Sequence, residues 1–307
     1  MIDQRKREKL KSAVYGFAVG DALGVPHEFK TREELSMSPV NGMEGYGTHQ
    51  QPVGTWSDDT SMLLCVTENL LENGDASSLA GKFLNWYNSA AYTATGEVFD
   101  VGVTTSIALN NVMAGADVRS SGATDEFSAG NGSLMRCLPY AFIHDTTESE
   151  RKALDEGRIT HAHDLCSEAT LFYIFAARCL LDGCAKEALL PTVIKAVSEN
   201  IWARTNSMKA LASNCRLFND SFSDIKVDQI KSTGYVVDSL EACLWCFLST
   251  YSYQAAVLKA VNLGGDTDTI AALTGGLAGI YYGYNTIPAE WLRDLKGRYI
   301  IDRILTF

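Results

Sequence analysis

Seven residues, Gly264-Gly265-Asp266-Thr267-Asp268-Thr269-Ile270, place two carboxylates and two hydroxyls within four positions, just ahead of the small-residue run Ala271-Ala272-Leu273-Thr274-Gly275-Gly276. Oxygen donors at this density suit a hard divalent cation. A second cluster, Trp56-Ser57-Asp58-Asp59-Thr60, lies about two hundred residues earlier and also opens an apolar run. Positions two apart on an α-helix diverge by ~200°. Asp266 and Asp268 therefore converge only where the chain is a turn or extended, which the double glycine permits. Thr269 then serves as a ligand or as the cap of the helix that follows. In the Ser57 cluster, capping of a helix start competes with metal binding as an explanation. Adjacent carboxylates nevertheless repel unless a cation or donor sits between them. Joined by the fold, the two clusters can supply a binuclear site, with two cations ~3.5–4 Å apart.

Three other segments carry polar groups in unusual places. Gly16, Gly20 and Gly24 are spaced by four, which suits close helix packing, but Asp21 within that run is a buried carboxylate that needs a partner. Glu28 lies beyond Pro26, in a loop from which a carboxylate can reach a site. Gly130-Asn131-Gly132-Ser133, ahead of Leu134-Met135-Arg136, offers backbone N–H groups at an expected helix N-terminus, a natural phosphate cradle or a plain turn. His161 and His163 face apart if helical, and the acidic clusters favour Mg²⁺ or Mn²⁺ over metals that prefer imidazole.

The elements that must position these groups read as helices. Apolar residues recur every three or four positions over residues 4–20, 57–72, 79–87, 104–113, 163–181, 189–201, 206–216, 236–250 and 253–263. Alternation of period two is nearly absent, so the expected fold is all-α. Residues 40–55, 115–131, 145–157 and 219–232 read as connections, and no composition break divides residues 1–307 into domains. The formal net charge of −11 argues against a general polyanion-binding surface, so nucleic acid is not an expected partner. The eight cysteines show no framework of spacings. Cys243 and Cys246 lie in an apolar stretch, where reduced core thiols are expected rather than a redox or zinc pair. No segment approaches the ~20 apolar residues of a membrane span. A cytoplasmic protein is the expectation.

Taken together and in order, Gly20-Asp21-Ala22-Leu23-Gly24 with Glu28, Trp56-Ser57-Asp58-Asp59-Thr60, Gly130-Asn131-Gly132-Ser133-x-Met135-Arg136, Thr160-His161-x-His163 and Gly264 to Thr269 resemble the ADP-ribosylglycohydrolase family, dinitrogenase reductase-activating type included. The resemblance spans about residues 13 to 283. It implies a compact orthogonal all-α bundle with a binuclear metal cleft holding two Mg²⁺ or Mn²⁺ ions. Ser57, Asp58, Asp59, Asp266, Asp268 and Thr269 would be the metal ligands. Gly130, Asn131, Gly132, Ser133 and His161 would hold the diphosphate and ribose, with His163 structural. Glu28 would lie by the scissile bond as a gate or proton-transfer group. Val98-Phe99-Asp100-Val101-Gly102-Val103-Thr104-Thr105 resembles a family segment whose acid contacts the departing arginine, with Val103 where the family has Asn.

The implied reaction is removal of ADP-ribose from a modified protein, favouring N-linked arginine, by attack of an activated water on C1″. Asp58, Asp59 and Asp266 would manage protons, with Glu28 or Asp100 assisting departure. Serine-linked, O-acetyl- or nucleic-acid-linked ADP-ribose, or silent ADP-ribose binding, are the alternatives within the fold.

Overall fold

The structure is a computed structural model that describes residues 4–198, 208–219 and 221–306. Among the described residues there are fourteen α-helices and no strand, only three isolated β-bridges. In chain order the helices are α1 (Gln4–Gly24), α2 (Arg32–Met37), α3 (Asp58–Leu71), α4 (Ala76–Ser89), α5 (Val103–Met113), α6 (Thr146–Gly157), α7 (Asp164–Leu181), α8 (Lys186–Ser198), α9 (Lys209–Asn214), α10 (Val236–Leu248), α11 (Tyr253–Val261), α12 (Thr267–Tyr282), α13 (Ala289–Asp294) and α14 (Arg298–Leu305). The all-α expectation is met.

Helix α12 is the axis of the core. Every residue from Thr267 to Ile280 is buried, as an all-round apolar, small-residue sequence requires. It packs against α1, α7, α10 and α11. The α1–α12 contact runs backbone to backbone. A Cβ on Gly16 would meet the Gly275 carbonyl oxygen at 2.4 Å, and one on Gly24 would meet Asp268 Cα at 2.3 Å. Close packing is therefore the reason for these glycines, and it carries Asp21 of α1 up to the first turn of α12.

Residues 145–157, expected as a connection, form α6 instead. Its charged sequence holds a helix through local pairs: Asp145 accepts from the Glu148 N–H, and Arg151 bonds both Glu148 and Asp155. Of the helices expected over 189–201 and 206–216, residues 199–207 lie outside the described part; α8 ends at Ser198, and α9 stops at Asn214, where Cys215 turns extended. The cysteines are free and all but Cys184 are buried; burial pushes the Cys246 thiol up to about 12, which suits an inert core group. Among the described residues, no helix is long and apolar enough to cross a membrane.

Candidate active site

The loop ahead of α12 is shaped by Gly264 (φ 72°) and Gly265 (φ 74°), both in the left-handed region. A side chain on Gly265 would put Cβ 2.1 Å from the Ser232 carbonyl oxygen. The Gly265 N–H donates to Lys30 O at 2.8 Å, and its carbonyl accepts from the Phe29 N–H at 2.7 Å. Arg32 adds a staple, donating from Nε to Leu263 O and from Nη2 to Ile230 O. This loop leaves Asp266 at the N-cap position (φ −83°, ψ 73°), while Asp268 stands on the first helical turn. The two carboxylates converge because one is outside the helix and the other inside it. The expectation that both lie off the helix is corrected to that extent.

The second cluster arrives at the start of α3. Ser57 is its N-cap, the hydroxyl accepting from the Asp59 N–H at 3.3 Å. The same helix end is capped from a distance by Asp21. Its Oδ1 accepts from the Ser57 N–H at 2.9 Å, and its Oδ2 from the Thr60 N–H at 3.0 Å and the Thr60 hydroxyl at 2.5 Å. Asp21 thus finds the partners that a buried carboxylate requires, and orients α3 toward α12.

Two acidic groups result. One oxygen from each of Asp21, Asp59 and Asp268 lies within 4.8 Å of the others, and the same holds for Glu28, Asp266 and Asp268. Asp268 belongs to both. The Thr269 hydroxyl donates to Asp59 Oδ1 at 3.3 Å. Asp58 is in neither group, although Asp100, Asp21, Glu28 and Asp266 all raise its pKa after burial does. Burial first, then mutual repulsion, lifts Asp59 and Asp268 well above the carboxylate range and Glu28 to about 8. Asp59 Oδ2 and Asp268 Oδ2 are buried with no hydrogen-bond partner. Hard cations would satisfy these orphaned oxygens and the excess negative charge, so the donor set fits divalent metal.

Glu28 is buried at the end of a short 3₁₀ turn, Val25–His27, and bonds His49 Nε2. Asp100, with a left-handed backbone (φ 55°), lies 3.8 Å from the same nitrogen. His49 sits in a connection with no motif around it, so nothing in the sequence singles it out. Asp21 is conspicuous in the sequence only as a carboxylate in need of a partner, yet it joins Asp59 and Asp268.

On the other flank, Asn131 Nδ2 donates to Asp266 Oδ2 at 2.7 Å and to Ser239 Oγ at 2.9 Å. His161 is buried against the Gly132 backbone, where an added Cβ would sit 2.4 Å from the ring Cε1. Burial and Arg136 hold its pKa down to about 3, so the imidazole is neutral. The Ser133 hydroxyl is turned toward Thr170 Oγ1 at 3.4 Å. No α-helix begins at Ser133, contrary to expectation: residues 131–136 are turns leading to a 3₁₀ segment, Leu138–Phe142. Pro139 cannot continue an α-helical ladder, and Arg136 Nη1 takes the Gly132 carbonyl at 2.6 Å. Among the described residues, no backbone group accepts from the Gly132 or Ser133 N–H. His163 caps α7, accepting from the Leu165 N–H, a structural role as expected.

A family profile described as ADP-ribosylglycohydrolase matches residues 2–306. The chain belongs to the ADP-ribosylglycohydrolase family. It is 34% identical over 293 residues to a Serratia proteamaculans (strain 568) protein named ADP-ribosylarginine hydrolase Tri1, covering 94% of this chain and 75% of that one. It is 30% identical over 303 residues to a Rhodospirillum rubrum protein named ADP-ribosyl-[dinitrogen reductase] glycohydrolase, covering 94% of this chain and 90% of that one. A solved structure described as an ADP-ribosylglycohydrolase-related protein complex matches with a TM-score of 0.80 at 33% identity, over 99% of this chain and 97% of the other.

Within this ADP-ribosylglycohydrolase, Asp21 offers a test of how the acids are held. An Asp21→Asn change relieves one buried charge but replaces one accepting oxygen by an NH₂, set against either the Ser57 N–H or the two Thr60 donors. Hydrogen bonds to a charged group contribute about 1.5–3 kcal/mol each, so the loss wins. The variant is expected to melt several degrees lower and to bind Mn²⁺ more weakly by calorimetry. An unchanged melting temperature would show that the Asp21 cap does not hold α3.

Proposed function

We propose that this chain hydrolyses the N-glycosidic bond between C1″ of ADP-ribose and the guanidinium of an arginine side chain in a modified protein. The observation that carries the reading is the pair of acidic groups sharing Asp268, with two orphaned buried oxygens, in a family whose similar members are named for ADP-ribosylarginine and ADP-ribosyl-dinitrogen-reductase hydrolysis. Asp59, Asp266, Asp268 and Thr269, with Ser57, Asp58 and Asp21 beside them, would hold two divalent cations, Mg²⁺ or Mn²⁺. When bound, these supply Lewis acidity and lower the pKa of water.

The chain's own residues do the rest. Asn131 fixes Asp266 by its 2.7 Å bond. The Gly132 and Ser133 N–H groups and neutral His161 form a cradle suited to diphosphate. The buried carboxylates stabilise positive charge developing on the ribose as the glycosidic bond breaks. Glu28 and Asp100 stand at the leaving-group end, placed to hand a proton to the departing guanidine. The substrate is an ADP-ribosylated protein and the product ADP-ribose. A core running from Leu10 to Ile304 supports reading residues 1–307 as one domain, and the free buried thiols fit the cytoplasm.

Peptides carrying arginine- or serine-linked ADP-ribose, incubated with Mg²⁺, Mn²⁺ or chelator, test this. Free ADP-ribose should appear from the arginine peptide and vanish with chelator. Release from the serine peptide alone, or release indifferent to chelator, would overturn the reading.

A further inference from the structure

Three separate segments meet at the leaving-group end of the site, and one side chain ties them. Residues 46–51 form a closed turn, in which the Tyr46 N–H donates to Gln51 O at 2.5 Å. The turn is fastened to Glu28 twice, by the Thr48 hydroxyl on the Glu28 carbonyl oxygen at 2.7 Å and by His49 Nε2 on Glu28 Oε2. It is fastened to residues 97–100 by Gln51 Nε2 on Glu97 Oε2 at 3.2 Å, and His49 Nε2 lies 3.8 Å from Asp100 Oδ1. The His49 ring is flanked by Phe29 and Phe99, with centroids 6.1 and 5.2 Å away.

The backbone around this clasp is unusual. Phe29, Tyr46, Gln50 and Asp100 all adopt left-handed φ angles between 55° and 67° without being glycine. Such conformations cost of order 1–3 kcal/mol each and persist only where surrounding contacts over-determine them. Here they bring a histidine and two carboxylates from three loops to one point. Phe29 remains 67% exposed at the rim, so the clasp borders solvent on one side and the acidic clusters on the other.

Resting on the arginine-hydrolase reading, we propose that His49 is a positioning residue that fixes Glu28 and Asp100 at a set separation, so that the pair receives the planar cationic side chain from which ADP-ribose is cleaved. The physical case is direct. A buried and a half-buried carboxylate held by separate loops repel, and a ring nitrogen bonded to Glu28 and within ion-pair distance of Asp100 keeps both in place. A guanidinium is planar and delocalised, and is recognised by fixed carboxylates together with aromatic faces. An alkyl alcohol, the leaving group from serine, uses neither. His49 thereby acts on turnover of the arginine linkage and not on the hold on ADP-ribose, which lies on the Asn131–His161 flank.

Two variants separate the outcomes. His49→Phe keeps ring packing with Phe29 and Phe99 but removes the nitrogen, whereas His49→Gln keeps an N–H donor. His49→Phe should lower kcat on the ADP-ribosyl-arginine peptide by about 10- to 100-fold, the loss of one hydrogen bond to a charged group. KM and the affinity for ADP-ribose should stay near wild type, and His49→Gln should recover most of the turnover. Undiminished kcat in His49→Phe, with wild type active, would overturn this inference alone. Equal losses in both variants, with weaker ADP-ribose binding and a lower melting temperature, would also overturn it, by making His49 structural. A wild-type protein that releases nothing from the arginine peptide would fail the activity reading first, before any His49 variant is compared.

Discussion

Asp268→Asn is expected to abolish turnover, by about 10³-fold or more, while making the metal-free protein more stable. The two effects have opposite signs because one oxygen serves two conditions. Asp268 is the residue common to both acidic groups, and its Oδ2 has no hydrogen-bond partner. With cations bound, that oxygen would be a ligand, and losing it should empty the site. Without cations, Glu28, Asp100, Asp59 and Asp266 all push against its charge, on top of burial. An Asn side chain keeps the acceptor for the Thr269 N–H, now bonded to Asp268 Oδ1 at 2.9 Å, and turns an NH₂ toward neighbouring carboxylates. A gain of about 1–2 kcal/mol in the metal-free state follows from removing one unpaired buried charge. Melting curves with and without Mn²⁺ read both effects. Wild type should rise with metal, by about 2.7 kcal/mol at a hundredfold excess over Kd; the variant should start higher and stay flat. A variant that still gains stability from Mn²⁺ and still cleaves would remove Asp268 from the metal site.

That experiment bears on residues that the chain itself singles out. Asp58, Asp59, Asp266 and Asp268 stand out by density, since carboxylates and hydroxyls side by side suit a hard cation as well as a helix cap. What density could not reveal was which of them meet. Asp58 stands outside both groups, and Asp21 stands inside one. Asp21 caps a helix other than its own, α3 from within α1, and such a bond leaves no local pattern. His49 was invisible for a related reason, since its partners at 28 and 100 come from loops with no periodicity. The misreadings have equally physical causes. Gly-Asn-Gly-Ser looks like a helix start, but Arg136 spends its guanidinium on the Gly132 and Gly157 carbonyls, and Pro139 closes off an α-helix. Residues 145–157 look like a loop because they are polar, yet the Asp145 cap, pairs at three and four residues and a buried face of Ser149, Glu150, Ala153 and Glu156 together hold α6. Periodicity marked α1, α3 to α5 and α7 to α11 but not α2, α6, α13 or α14, and α12 was expected only as the helix after Thr269, since a sequence that is apolar all round has no stripe.

Gly20→Ala should be strongly destabilising although it adds only one methyl group. In a free helix that change favours folding by about 1 kcal/mol. At Gly20 the new Cβ would lie 2.1 Å from the Ala271 carbonyl oxygen and 2.6 Å from its carbon. Those atoms are backbone of the central helix, so no side chain can swing away and α1 must back off from α12. Overpacking of this kind outweighs the helix propensity, and a net loss of about 3 kcal/mol or more is expected. The damage also reaches the chemistry. Asp21, the next residue, would be drawn away from Ser57 and Thr60, and with it the register of α3 against Asp268. Metal affinity and turnover should therefore fall together with stability, although no ligand has been changed. Gly81 supplies the contrast, since it lies inside α4 with nothing within 4 Å of an added Cβ. Gly81→Ala should raise stability by about 0.5–1 kcal/mol and leave turnover alone. If the two substitutions moved the melting temperature in the same direction, the α1–α12 backbone contact would not be what sets the acids in place.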